Sequence, residues 1–118
     1  MLCAQIQRTS GLWYSAEYST FSIADEAGKY QLTVAGYSGD ADNALMTGMN
    51  SEWVSNGQRF STLDDDNDAW AGGSCTTTTG WWFQICSCSN LIYGAWTTGA
   101  VDTEQSLVQA NRMLVKLN

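Results

Sequence analysis

The chain has 118 residues, a net charge of −7 and neither proline nor histidine. Its length suits one domain, and its acidity disfavours nucleic acid and anionic membranes as partners. The absence of histidine excludes a His-based catalytic triad and a zinc site with histidine ligands. No apolar stretch approaches the roughly 20 residues of a membrane-spanning helix, so we expect no membrane insertion.

Three strands are predicted in the first third of the chain. Apolar and polar residues alternate over 2–7 and, less regularly, over 12–23, which is typical of half-buried strands. The run 29–35 alternates cleanly and predicts a third strand. Turn-forming residues separate these runs, so a loop-rich domain containing β-structure is expected.

The rest of the chain is less regular. Residues 40–48 predict a short helix capped by Asp40. Residues 49–80 show little periodicity, and a stretch of that length is usually functional. A short apolar run occupies 81–85. Residues 106–117 fit both helical and alternating spacing, so helix and strand remain open there.

Four carboxylates stand within the five residues 64–68. They repel one another, and no lysine or arginine lies between Phe60 and Leu91 to neutralise them. Ca²⁺ takes six to eight oxygen ligands from carboxylates, carbonyls and water. The cluster therefore predicts a calcium site with Asp66 and Asp68 as side-chain ligands; the alternative is a solvated acidic loop without metal.

Two other interpretations of the cluster are disfavoured. An EF-hand needs Gly at its sixth position and Glu at its twelfth, where this chain has Ala69 and Cys75. A glycosidase needs two carboxyl groups that flank the scissile bond. Neighbours in one loop are poorly placed for that, and a second acidic cluster is missing, so we expect no enzyme.

The cysteines stand at positions 3, 75, 86 and 88. An even number in a short chain fits an extracellular disulfide framework, for which four cysteines allow three pairings. A bridge between Cys75 and Cys86 would close a loop, and this closure would contribute roughly 2–3 kcal/mol to the free energy of unfolding. A zinc site formed by the four thiols is disfavoured because no C-x₂-C pair is present.

Several motifs occur in a fixed order between residues 2 and 96. They include E-Y-S-T-F at 17–21, G-Y-S-G-D at 36–40, F-S-T-x-D-x-D-N-D at 60–68, G-G-S-C at 72–75 and W-W-x-x-x-C at 81–86. This series resembles the fibrinogen C-terminal domain, the globe shared by fibrinogen chains, ficolins, tenascins, angiopoietins and tachylectin-like lectins.

The resemblance implies an α+β fold, with an antiparallel sheet, short helices and a long irregular region that holds calcium and ligand. The family domain is roughly twice as long as this chain. Residues 1–118 are therefore expected to be a partial domain. The N-terminal subdomain would be missing before residue 2, and an aromatic-rich segment would be missing after Trp96.

The resemblance also assigns site residues around the acidic loop. It places the calcium ligands on the side chains of Asp66 and Asp68 and on the carbonyls of Trp70 and Gly72. It places a disulfide between Cys75 and Cys86.

A ligand site is implied next to that disulfide. In many family members the peptide bond before the second cysteine is cis, which here is Ile85–Cys86. In members that bind acetyl groups, nearby backbone N–H groups hold the ligand carbonyl and aromatic rings hold the methyl group. The candidate ligand residues are therefore Trp82, Ile85, Cys86 and Ser87, with Ser87 standing where a histidine is usual.

The function implied by the resemblance is extracellular, calcium-dependent recognition of acetylated sugars, in innate immunity or agglutination. One alternative is a protein-interaction or matrix module of the fibrinogen or tenascin type, with a protein or peptide ligand. Another is a non-functional fragment. Secretion is expected, as is a homo-oligomer of the full-length protein, whereas Cys3 and Cys88 receive no role.

Overall fold

The computed structural model describes residues 1–48, 51–76, 80–87, 89–91, 94–97 and 108–117. The strands are β1 Leu2–Gln7, β2 Trp13–Ile23, β3 Leu32–Gly39, β4 Ser89–Asn90, β5 Ala95–Trp96 and β6 Ala110–Val115. Four of them form an antiparallel sheet in the order β3-β2-β1-β6, and β4 pairs with β5 separately.

The strand predictions for 2–7 and 12–23 are confirmed, whereas the third strand is displaced. It begins at Leu32 and runs to Gly39, because residues 29–31 belong to the β2–β3 turn. In that turn Lys29 and Tyr30 adopt φ values of 55° and 54°, a left-handed conformation that interrupts strand geometry.

The expected short helices are wrong: the described residues contain no helix, and 40–48 forms irregular structure and a turn. Asp40 does not cap a helix. Its Oδ1 instead accepts a hydrogen bond from the Ser15 N–H at 2.8 Å, and its own N–H donates to the Ser15 carbonyl at 3.0 Å. These bonds to Ser15 of β2 therefore hold Asp40 against the sheet, so it does not begin a helix.

The ambiguity over 106–117 is resolved in favour of a strand where the structure describes it. Ala110–Val115 pairs with β1 in antiparallel register, from Ala110 opposite Gln7 to Val115 opposite Leu2. The apolar spacing that fits a helix is overridden because β1 offers a partner for every residue of β6. Residues 106–107 lie outside the described part of the chain.

One face of the sheet builds the core. Alternate residues of β1 are buried, and the irregular segments after β3 pack against this face. Burying each large apolar side chain contributes about 1.5–3 kcal/mol. The core cluster comprises Leu2, Ala4, Ile6, Ala16, Tyr18, Leu32, Val34, Ala41, Ala44, Leu45, Trp81, Trp82, Phe83, Leu91 and Trp96.

The length of β2 separates the two ends of the molecule. Its 11 residues span roughly 33 Å at about 3.3 Å per residue. The turn that follows Ile23 contacts the acidic loop, whereas Trp13 and Tyr14 lie at the opposite end. Within the described residues, nothing has the helical length and apolarity needed to cross a membrane.

Candidate calcium and ligand-binding site

The acidic loop is anchored at its base by Ser61 and Asn67. The backbone of Ser61 pairs in both directions with Trp81, at 3.0 and 3.2 Å. Asn67 donates its backbone N–H to the Ser61 hydroxyl at 2.9 Å and its side-chain amide to the Phe60 carbonyl at 3.0 Å. These bonds fold residues 60–68 back on themselves, which leaves Asp64, Asp65 and Asp66 exposed.

A lysine from outside the loop offsets part of its charge. Lys29 Nζ lies 3.2 Å from Asp65 Oδ2, and this hydrogen bond, with a second from Asn67, lowers the pKa of the Asp65 carboxyl. The Lys29 carbonyl also accepts the Phe60 N–H at 2.9 Å. Sequence reasoning missed Lys29 because it sought neutralising residues only near the cluster.

Asp68 joins the acidic loop to the disulfide. Its Oδ1 accepts the Trp70 N–H at 2.9 Å, and its Oδ2 accepts the Cys75 N–H at 2.8 Å. Asp66 in turn accepts the Asp68 N–H at 3.2 Å. The four predicted calcium ligands, Gly72 included, therefore belong to one loop that is closed by the Asp68 carboxylate.

The side chains of this loop do not by themselves surround a metal position. Among the described residues, no group of three or more His, Cys, Asp or Glu side chains is close enough to hold an ion. The candidate set has two carboxylates and two backbone carbonyls. All four donors are hard oxygens, which suits Ca²⁺ and not a thiophilic transition metal.

The predicted disulfide between Cys75 and Cys86 is confirmed, with a Cα–Cα distance of 5.2 Å. The expected cis bond at Ile85–Cys86 is wrong, since no peptide bond of the described residues is cis. Cys86 instead turns the chain through a φ of 57°. Cys3 is a free, half-buried thiol, and Cys88 lies outside the described residues.

Trp82, a predicted ligand residue, is part of the core. It is buried, its indole Nε1–H donates to the Tyr30 carbonyl at 2.9 Å, and its ring packs edge-on against Phe60 and Trp81 with centroids 5.2 Å away. Within the described ranges, the buried Nε1–H of Trp81 has no hydrogen-bond partner. Trp82 thus ties the β2–β3 turn to the disulfide segment from the inside.

Ser87 is also engaged internally. Its buried hydroxyl lies 2.8 Å from that of Ser55 and 3.2 Å from that of Ser89, and these last two are 3.3 Å apart. This triangle of hydroxyls satisfies polar groups that would otherwise be costly to bury. Sequence reasoning missed Ser55 because no motif links it to a position 32 residues away.

The backbone beside this triangle is fixed in the same way. The Ile85 N–H donates to the Glu52 carbonyl at 2.9 Å, and the Val54 N–H donates to Gln84 Oε1 at 3.2 Å. The segment 52–55 therefore supports residues 84–87 and Ser89. Of the four predicted ligand residues, Ile85 and Cys86 are the half-buried ones that remain partly accessible.

The arrangement of acidic loop, disulfide and paired tryptophans matches a known domain. Residues 1–112 match the family described as the C-terminal globular domain of fibrinogen beta and gamma chains. The chain belongs to this family. The resemblance inferred from the motifs at 60–68 and 81–86 is thereby confirmed.

Relatives and solved structures agree with this family. The fibrinogen beta chain of Gallus gallus is 39% identical over 89 residues, which cover 64% of this chain and 19% of that protein. Protein scabrous of Drosophila melanogaster is 37% identical over 108 residues, which cover 86% of this chain and 12% of that protein.

Among structures, the fibrinogen-like globe domain of human ANGPTL2 superposes with a TM-score of 0.75 at 26% identity, covering 95% of this chain and 55% of that one. Lamprey fibrin D-dimer, complexed with the peptide ligand Gly-His-Arg-Pro-amide, gives a TM-score of 0.80 at 23% identity. The match covers 95% of this chain and 43% of that one. The fibrinogen C-terminal fold is thus established, and this chain spans about half of these two structures.

Proposed function

We propose that the chain is an extracellular recognition module that binds without catalysis, and that calcium orders its acidic loop. The observation that carries this proposal is the Asp68 carboxylate, which accepts hydrogen bonds from both Trp70 and Cys75. An ion held by the loop would therefore stabilise the segment that leads into the disulfide. Membership of a family of generally non-enzymatic, secreted binding domains supports the same conclusion.

Calcium would be held by the side chains of Asp66 and Asp68 and by the carbonyls of Trp70 and Gly72, with water completing the shell. These donors suit a hard cation, which needs six to eight oxygens. Bound calcium would supply positive charge against the loop carboxylates, whose negative charge Lys29 offsets only in part. The residues themselves would hold the loop in position, and the bound positive charge would reduce the repulsion between neighbouring carboxylates.

The ligand that we propose is an acetylated glycan, recognised in innate immunity or agglutination at the partly accessible surface of Ile85 and Cys86. Because Trp82 and Ser87 are buried and bonded internally, a single sugar would meet few side chains. We therefore expect N-acetylglucosamine to bind with a Kd weaker than about 100 µM, which corresponds to about −5.5 kcal/mol. Display of several copies would restore avidity.

A protein or peptide ligand is the second candidate. The lamprey fibrin protein of the same fold is complexed with a peptide. In this chain, Trp82 and Ser87 are buried and bonded internally, so the partly accessible surface of Ile85 and Cys86 is what the predicted ligand residues offer a partner. A partner that makes a broad contact would add neighbouring surface to it.

The calcium proposal is tested by thermal unfolding in calcium and in EDTA. Calcium at about 100 times its Kd should raise the free energy of unfolding by about 2.7 kcal/mol. Asp66→Asn should abolish that increment. Asp64→Asn removes the same charge from the same loop but no predicted ligand, so it should retain the increment; an equal response of both variants, or none in the wild type, contradicts the site.

The ligand proposal is tested by a glycan array probed with the chain displayed on streptavidin. Binding of acetylated glycans that is present in calcium, and lost in EDTA and in Asp66→Asn, is the expected result. A parallel peptide array that binds the chain in calcium, while no glycan is bound, would select the second candidate.

A further inference from the structure

Two neighbouring cavities lie at the end of the sheet away from the acidic loop. They have volumes of about 480 Å³ and about 280 Å³, and both are lined by Tyr14 and Asp40. Arg8 lines the larger lobe, whereas Trp13 and Arg112 line the smaller one. Because the two lobes meet at these shared residues, they are together called the Tyr14–Asp40 groove.

Asp40 is rigidly held at the centre of this groove. Its Oδ1 accepts the Ser15 N–H at 2.8 Å, and the N–H groups of Asp40 and Ala41 donate to the Ser15 carbonyl at 3.0 and 2.9 Å. Gly39 permits this approach: it adopts a φ of 121°, and a Cβ there would lie 2.2 Å from that carbonyl. The carboxylate is thus positioned before any ligand arrives.

Two polar groups of the groove can still form hydrogen bonds with a ligand. Within the described part of the chain, Asp40 Oδ2 makes no hydrogen bond, and neither does the hydroxyl of half-buried Tyr14. Each of them belongs to a side chain fixed by β2 or by its contact with β2. They therefore present one acceptor and one donor–acceptor group at the point where the lobes meet.

The charges that line the groove balance. The larger lobe has Arg8, Asp40 and Asp42, and the smaller lobe adds Arg112. Among the described lining residues, two arginines thus stand beside two aspartates in a chain whose net charge is −7. Such a balance of the described charges favours neither a strongly cationic nor a strongly anionic ligand.

The smaller lobe also offers an aromatic face. Trp13 is 49% exposed, and the Arg112 guanidinium lies 5.6 Å from its ring centroid. Arg112 is itself held by a hydrogen bond to the Gln5 side chain. The indole is therefore fixed on one side by a cation, while half of its surface is open to an apolar ligand face.

The geometry points to a binding site for a neutral oligosaccharide in the Tyr14–Asp40 groove. Sugar hydroxyls would bond to Asp40 Oδ2 and to the Tyr14 hydroxyl, and the C–H face of a sugar ring would lie on Trp13. Peptides commonly add to a free strand edge or fill an apolar groove, whereas β1 and β2 beneath this groove are both paired on two sides.

This site is distinct from the proposed calcium-dependent one. The β2–β3 turn, which contacts the acidic loop, and Tyr14 lie at opposite ends of β2. Binding in the groove should therefore persist in EDTA and in Asp66→Asn. That independence allows either proposal to fail without the other.

The test is an array of neutral, sialylated and sulfated oligosaccharides, probed in EDTA with the streptavidin-displayed chain, followed by calorimetry with the best neutral trisaccharide. Tyr14→Phe and Asp40→Asn should each weaken binding about tenfold. Both substitutions preserve shape, and an asparagine still accepts the Ser15 N–H, so unchanged melting temperatures should show intact folding. Glu17→Gln, on the same strand but outside the groove, should bind as the wild type does.

Three results would overturn the inference. One is that the chain binds no neutral oligosaccharide on the array in EDTA. Another is wild-type affinity in both Tyr14→Phe and Asp40→Asn. The third is glycan binding that requires calcium and is lost in Asp66→Asn, which would support the proposed function instead.

Discussion

Replacing Asp68 by alanine should destabilise the fold even without calcium. Its carboxylate accepts the N–H groups of Trp70 and Cys75 at 2.9 and 2.8 Å. Alanine leaves both donors without an acceptor. The bond to Cys75 is partly buried, so water replaces it poorly, whereas the bond to Trp70 is exposed and its loss is more easily compensated.

The magnitude follows from these two environments. A partly buried hydrogen bond to a charged group contributes about 1.5–3 kcal/mol, and an exposed one about 0.5–1 kcal/mol. Asp68→Ala should therefore cost roughly 2–4 kcal/mol. For a domain of this size about 1 kcal/mol corresponds to about 4 °C in Tm, so Tm should fall by roughly 8–16 °C.

The assay is thermal unfolding in EDTA, with Asp66→Ala as the comparison. From the part of the chain that the structure describes, Asp66 accepts one bond, from the Asp68 N–H at 3.2 Å, so its removal should cost under about 1 kcal/mol. Asp68→Asn keeps one acceptor oxygen and should fall between the wild type and Asp68→Ala. A Tm of Asp68→Ala within about 2 °C of the wild type would refute the role given to this carboxylate.

Three further predictions concern stability. Reduction of the disulfide should lower the free energy of unfolding by roughly 2–3 kcal/mol through loop entropy, measurable by urea titration with and without dithiothreitol. Lys29 lowers the pKa of Asp65, so this pair stabilises the fold above the unfolded pKa of about 3.9. That stabilisation is lost as pH falls through the folded pKa. In an acid titration, the free energy of unfolding of Lys29→Gln should therefore decrease less with falling pH than that of the wild type. Tyr18→Phe leaves the Leu45 N–H, now 3.3 Å from the hydroxyl, without a partner, which should cost about 1–2 kcal/mol by urea titration.

The sheet was largely predictable because its signal is local. Alternation over 2–7 and 12–23 fixes which residues face the core, and the same pattern locates two strands within one residue. The start of β3 was missed because two non-glycine residues, Lys29 and Tyr30, adopt left-handed φ values. No local preference indicates that conformation; it is enforced by tertiary contacts of the turn, such as the Lys29 carbonyl with Phe60.

The disulfide and the position of the acidic loop were predictable from motifs, since the spacing of the motifs carries that information. The internal supports of the site were not. Ser55 meets Ser87 only after both segments have packed, and serine is too common for its position to attract notice. The predicted helix at 40–48 failed for the same reason, because Asp40 found a partner in Ser15, which is distant in sequence.

The sheet places two polar surfaces where neither perturbs the other. Tyr14 and Ile23 are nine residues apart on β2, which corresponds to roughly 30 Å of strand. Exposed charges are screened over about 8 Å at physiological ionic strength. A calcium ion near Asp66 would thus add almost nothing to the potential at Asp40. Because β2 is paired on both sides, the strand holds the two surfaces apart, and the fold can hold a metal-dependent surface and a metal-independent one on the same strand.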